Sequence, residues 1–153
     1  MGYLVLPSHL IEKCRKVKWF SDLHTPSLNQ LVLAKFITED HLERHIMKMK
    51  KLYKNRRNFL IQQLKLAFSN KINIFGYSTG LHLIVEFNQV QFTKELLEEI
   101  QQLGVKVYPV EDHAIKKGKH HNQIIIGYGH LTTEEIKEGV NRLQRALSCI
   151  YSC

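Results

Sequence analysis

Apolar residues recur along the chain at two spacings, and the change between them organises it. Leu4, Val5 and Leu6 form a run of strand length, and the stretch Gly2–Pro7 reads as a buried strand feeding a helix. From Pro7-Ser8 the spacing becomes helical: Leu10, Ile11 and Cys14 recur through about Trp19. After the polar break SDLHTPSLNQ, Leu28, Leu31, Val32, Ala34 and Phe36 predict a second, largely buried helix. Leu42, Ile46, Met49, Tyr53, Leu60 and Leu64 then fall on one stripe of a long helix from about Glu39 to about Phe68. Arg57 holds the stripe position left empty of apolar residues, so the middle of this helix is expected to meet something polar.

Beyond the long helix the elements shorten. Ile72–Phe75 reads as a strand, GYSTG as a turn, Leu81–Phe87 as a second strand and Phe92–Leu103 as a helix closed by Gly104. VKVYPV predicts a third strand, EDHAIKKGKHHN a polar loop, and QIIIGYG a fourth strand. Thr132 and Glu135 stand three apart before an apolar-periodic run, the pattern of a capping box, with Leu131 and Ile136 placed as its hydrophobic staple. Ile136, Val140, Leu143 and Leu147 continue that helix. Residues 72–149 therefore predict ββαββα, an α+β unit with an antiparallel or mixed sheet and helices on one face.

Composition adds less. The chain has 153 residues, 44% hydrophobic and 24% charged, which is ordinary globular usage. No apolar run has the length of a membrane span, and no basic-then-apolar leader pattern follows Met1. The three cysteines, Cys14, Cys149 and Cys153, give no disulfide framework, and a cytoplasmic setting is expected. The net charge of +8 favours phosphate groups or acidic partners.

Candidate chemistry is thin. HLERH places His41 and His45 one helical turn apart, but Leu42 stands where a zinc protease needs glutamate, and no third ligand is evident. His113, His120 and His121 share a loop with Lys116, Lys117 and Lys119, which suits either an anion or plain solvation. KMKKLYKNRR, Lys48 to Arg57, interleaves cations with Tyr53, as a phosphate-backbone contact or any solvated helix face does. His82 alternates with Leu81 and Leu83 on its strand and so faces away from them. No catalytic centre, cofactor-holding set or metal site emerges from the residues themselves.

Four stretches, GYLVLP, HTPSLNQLVLAKFITEDHLERHIMKMKKLYKNRR, GLHLIVEF and IIIGYGHLTTEEIKEGVNRL, together resemble the C-terminal part of the MocR-type regulators. These GntR-family proteins join a winged-helix DNA-binding domain to a body with the fold of class I aminotransferases. The resemblance covers nearly the whole chain. It implies that 1–38 is a remnant of the large domain, 39–70 the connecting helix and 71–153 the small C-terminal domain of that fold. It implies pyridoxal phosphate and a small amine or amino-acid effector in the parent, with none of the cofactor expected on this chain alone. The Schiff-base lysine and an Arg-x-Gly-Tyr arginine for the cofactor phosphate would lie upstream, with Met1 at the x position. The implied partners are the missing N-terminal half or a second subunit, with DNA reached only through the absent winged helix. Gly80 and His82 match the substrate-side edge of the small domain, and Ile125 stands where aminotransferases place a carboxylate-binding arginine. That substitution favours a regulator, with a true aminotransferase or a stand-alone basic interaction module as alternatives.

Overall fold

The computed structural model describes residues 4–22, 26–78 and 80–151. The chain divides into two compact units, Met1–Lys48 and Met49–Cys153. The first contains α1 (Ser8–Asp22), α2 (Ser27–Thr38) and the start of α3 (His41–Phe68), which continues into the second. The break between α2 and α3 is Glu39-Asp40, where Asp40 takes φ +58°. Aspartate tolerates that left-handed geometry better than most residues.

The expected strand at Leu4–Leu6 is not present. Residues 4–7 carry no regular structure, and Leu4 and Val5 are 81% and 87% exposed. A strand exists only through a hydrogen-bonded neighbour, and no described strand pairs with these residues. Met1–Tyr3, the rest of that expectation, lie outside the described residues. The second helix forms as predicted, but none of its residues is buried, which corrects the expectation of a largely buried element. Its apolar residues surround the axis instead of forming a stripe, so no single face is distinguished for burial.

The second unit holds the core. Its sheet is fully antiparallel, in the order β1 (Ile72–Phe75), β2 (His82–Phe87), β4 (Gln123–Gly127), β3 (Tyr108–Pro109). Leu83, Val85 and Phe87 alternate along β2 and are fully enclosed. They join Leu60, Leu64 and Phe68 of α3, Ile100 of α4 (Lys94–Gln102) and Ile136, Val140, Leu143 and Leu147 of α6 (Thr133–Tyr151). All three helices thus share one face of the sheet. The apolar stripe on α3 runs from Leu42 to Leu64 with one interruption, yet only Leu60, Leu64 and Phe68 of the helix are buried. Arg57, the polar break in it, donates from Nη1 to the Tyr77 carbonyl in the β1–β2 turn at 2.5 Å.

Two departures concern the third strand. Only Tyr108 and Pro109 pair with β4, because proline has no N–H to extend the ladder and is confined to sheet edges. Val110–His113 then forms α5 rather than strand and loop, with Glu111 and Asp112 in its first turn, where acidic side chains suit the helix dipole. Thr93, not anticipated, caps α4 by accepting from the Leu96 N–H. Gly104 follows α4 with φ +78°, the left-handed geometry for which glycine is favoured after a helix.

The capping box is present in both halves: the Glu135 N–H donates to Thr132 Oγ1, and the Thr132 N–H to the Glu135 carboxylate. Thr132→Ala is expected to lower stability by about 1 kcal/mol, read as a shift in urea midpoint without a change in slope. An unchanged midpoint would show that the cap contributes nothing.

Candidate functional site

The face of the sheet away from the helices carries the residues that alternate with the core set. Antiparallel partners point to the same side, so the register orders this face into rows. Phe75 pairs with Ile84, Ile84 with Ile125, and Ile125 with Tyr108. These four make an apolar band across all four strands, roughly 14 Å wide at the usual strand spacing. Phe75 and Tyr108 are each 47% exposed, while Ile84 and Ile125 are half-buried between them. One register step away lies a polar row, Asn73, Glu86 and Gln123. On the other side of the band His82 stands opposite Gly127, and its ring packs so close that a Cβ at 127 would lie a tight 3.3 Å from Cδ2.

Of the three candidates, His82 and Ile125 share this face, on neighbouring strands and two positions apart. Gly80 sits in the turn leading to it, with φ +84°, and its carbonyl accepts from the Tyr128 hydroxyl at 2.8 Å. Sequence reasoning missed Glu86, Tyr108 and the amides beside Glu86. Glu86 accepts from Asn73 Nδ2 at 2.9 Å and from Gln123 Nε2 at 3.0 Å, and Gln123 Oε1 meets His120 Nδ1 at 2.9 Å. The Asn73 amide first, then the Gln123 amide, hold the Glu86 carboxyl below its ordinary value. A groove of about 1060 Å³ begins beside His82 and Tyr108 and runs past Ile126 and Leu131 toward Glu138.

The other candidates are occupied structurally. His41 lies 3.3 Å from the Glu39 carboxylate and stacks on Phe36 at 5.6 Å. The basic loop does grip an anion, but the anion is its own Glu111, whose carboxylate accepts from the N–H groups of Gly118 and His120. Lys117 is spent on the carbonyls of Glu111 and Asp112. In the Lys48–Arg57 stretch, Arg56 donates to the Gly129 carbonyl at 2.6 Å, as Arg57 does to that of Tyr77. Two of the cations proposed for phosphate contacts therefore tie α3 to turns of the sheet.

Pyridoxal phosphate does not fit this face by the chain's own residues. No lysine or arginine lies in its rows, and no charged residue among those described is buried, so no lysine sits in a desolvated pocket to condense with an aldehyde.

Glu86 and Glu111 give a pH dependence of stability. Glu111 is also held low, chiefly by the Gly118 N–H. A carboxyl depressed on folding binds its proton less readily than in the unfolded chain, whose ordinary value is 4.5. Its stabilisation is present above that value and is lost as pH falls through the lower folded value. Urea midpoints from about pH 6 down to about pH 3 should hold and then fall, and Glu86→Gln should flatten the fall. A midpoint that rises on acidification contradicts the sign.

The sequence profile of the family described as "Aminotransferase class I and II" matches residues 1–143. An HTH-type transcriptional regulator of Bacillus subtilis, YdeL, is 28% identical over 149 residues, covering 95% of this chain and 31% of that protein. The probable rhizopine catabolism regulatory protein MocR of Rhizobium meliloti is 23% identical over 152 residues, 99% of this chain and 31% of its own length. A solved structure, the multiple substrate aminotransferase of Thermococcus profundus, superposes with a TM-score of 0.81 at 26% identity, over 95% of this chain and 36% of that one. The chain thus spans about a third of the length of the proteins it matches. No described helix is long and apolar enough to cross a membrane.

Proposed function

Because the chain belongs to the class I and II aminotransferase family, we propose that it is the C-terminal portion of a pyridoxal-phosphate-binding, aminotransferase-like transcriptional regulator of the MocR type. Residues 1–38 are then part of the large domain, 39–70 the connecting helix and 71–153 the small domain. The cofactor lysine, the grip on the cofactor phosphate and the winged helix belong to the parts this chain spans none of. The parent is a cytoplasmic homodimer, with the cofactor site completed by the large domain or the second subunit.

The observation that carries this reading is Ile125. Its side chain lies in the middle of an apolar band, flanked by Ile84 and Tyr108, at the position where the family's enzymes place a carboxylate-binding arginine. An isoleucine gives a substrate carboxylate no partner and leaves its desolvation uncompensated. A sensor needs only ligand-dependent closure, so loss of the arginine is tolerable there and damaging in a transaminase. Gly80 and His82 remain the substrate-side edge of the domain on this reading. A stand-alone nucleic-acid module is disfavoured by the engagement of Arg56 and Arg57 with backbone carbonyls.

Two measurements test it. The native gene product, captured with an antibody to α6, should have an intact mass well above 18.0 kDa, and a mass near that value would sink the fragment reading. Mixed with a purified N-terminal half, the chain should complete cofactor uptake without sustained amino-group transfer. Rapid turnover with amino acids would instead favour a true aminotransferase.

A further inference from the structure

The turn between β1 and β2 is gripped from outside. Gly76 and Gly80 take φ +75° and +84° in it, and glycine populates positive and negative φ about equally readily. A turn with two such residues has little stiffness of its own. Three of its carbonyls are held by groups from other elements. Arg57 Nη1, on α3, donates to the Tyr77 carbonyl at 2.5 Å. The Tyr128 hydroxyl donates to the Gly80 carbonyl at 2.8 Å, and the Tyr128 N–H to that of Leu81 at 3.1 Å. His82 begins β2 directly after this turn, so whatever fixes the turn also fixes the entry to that strand.

The two holding side chains are themselves fixed. Tyr128 is buried in the core, and the carbonyl of the next residue, Gly129, accepts from Arg56 Nη1 at 2.6 Å. Leu81 lies against Gly129 so closely that a Cβ there would come 3.3 Å from Leu81 Cδ1. Arg57 is half-buried, and its Nε and Nη2 rest on Asn58 Oδ1 at 3.3 Å, which leaves Nη1 for the turn. Its charge also reaches the Tyr128 phenol, where it opposes the upward push of burial. Adjacent arginines of α3 thus hold the two turns at one end of the sheet, and Tyr128 ties one turn to the other. Hydrogen bonds from a charged donor are the stronger kind. The strands and α3 do not need these bonds to stay together, because the ladder of β1, β2 and β4 and the burial of Leu60, Leu64 and Phe68 already join them. The effect of Arg57 and Tyr128 hydroxyl is therefore local to the turn.

We propose that Arg57 and Tyr128 are positioning residues for the Gly80–His82 edge, holding a two-glycine turn in one conformation so that the edge is ordered before any ligand arrives. Binding to an edge already ordered avoids the entropy of ordering it. The ordering stands on this chain alone. That the ordered edge meets a small-molecule ligand rests on the regulator reading above.

The test is ¹⁵N relaxation of the labelled 153-residue chain and three variants. In the parent sequence the amides of Tyr77, Gly80 and Leu81 should have order parameters of about 0.85, the value of rigid backbone, like those of Val85 and Ile124. Arg57→Ala and Tyr128→Phe should each lower the turn amides below about 0.6 and leave Val85 and Ile124 unchanged. Tyr128→Phe keeps the buried ring and removes only the hydroxyl, so the core that reports the fold is retained. Arg57→Lys keeps a charged donor for the single bond to the Tyr77 carbonyl and should recover most of the order lost in Arg57→Ala. A residue that merely stabilised the fold would move the core and turn amides together and would show no such recovery. Turn amides that are already flexible in the parent sequence, that stay ordered in Arg57→Ala and Tyr128→Phe, that loosen only together with Val85 and Ile124, or that lysine leaves as loose as alanine would each overturn the proposal. Loosening of the turn in the variants, without cofactor uptake by the unsubstituted chain mixed with the N-terminal half, would remove the regulator reading and leave this one. Cofactor uptake with a turn indifferent to both substitutions would do the reverse.

Discussion

Replacing Phe87 by alanine is expected to cost the Met49–Cys153 unit about 3–5 kcal/mol, a large share of the stability of a domain this size. Phe87 is wholly enclosed at the C-terminal end of β2. Its ring meets Phe68 of α3 edge-on, 5.0 Å between centroids at 85°, and Phe92, which precedes α4, at 5.5 Å and 79°. Deleting it therefore opens a cavity where the sheet, the long helix and the start of α4 converge. It also removes two edge-to-face contacts that act beyond simple burial. Thermal and urea unfolding of Phe87→Ala should report the loss. Phe87→Leu should recover part of it, by keeping volume while surrendering the ring geometry. A loss below about 1 kcal/mol would mean that the packing around these three rings is loose.

Hydrogen exchange should separate the two units by on the order of a thousandfold in protection. No described residue of 4–48 is buried, while Leu83, Val85, Phe87 and Ile124 are enclosed. Amides of the sheet open only with the whole unit, whose stability of several kcal/mol sets their rate. Amides of α1 and α2 are protected by local helix formation alone, and isolated helices of 15 and 12 residues are marginal in water. Trp19, Phe20, Leu28, Leu31, Val32 and Ile37 add exposed apolar surface of the kind that associates. Protection in 4–48 should accordingly rise with protein concentration, while that of the sheet stays constant. Strong, concentration-independent protection of α1 and α2 would contradict this account.

The elements legible in the sequence are those with internal signals. The α3 stripe, the alternation in β2 and the reciprocal cap of α6 each specify structure within a few residues. What failed depended on partners. Leu4–Leu6 has the composition of a strand, but composition does not provide a neighbour. VKVYPV has it too, but its ladder is limited to the two residues that reach β4. The acidic first turn of α5 was readable as a helix start and was hidden by the polar run around it. At the candidate site, alternation alone placed His82 away from the core. Glu86 gave no signal, because a glutamate at an open strand position is ordinarily just solvated. Its significance comes from Asn73 and Gln123, which are 13 and 37 residues distant and meet it only through strand pairing.

The alternation of β2 also dictates where the chain tolerates changes in length. A single residue inserted between Leu83 and Ile84 would turn Phe87 toward solvent and drive Glu86 into the core, since side chains alternate with period two. The preceding turn has little slack to absorb the shift, because the Tyr128 hydroxyl fixes the Gly80 carbonyl. The loop between α5 and β4 is different. Glu111 staples it at Gly118 and His120, and the tip at Ile115 projects fully into water. Extra residues there meet nothing and cost little loop entropy. Insertions, protease nicks and genetically fused reporters should therefore be accepted around Ile115 and rejected between Gly80 and Phe87.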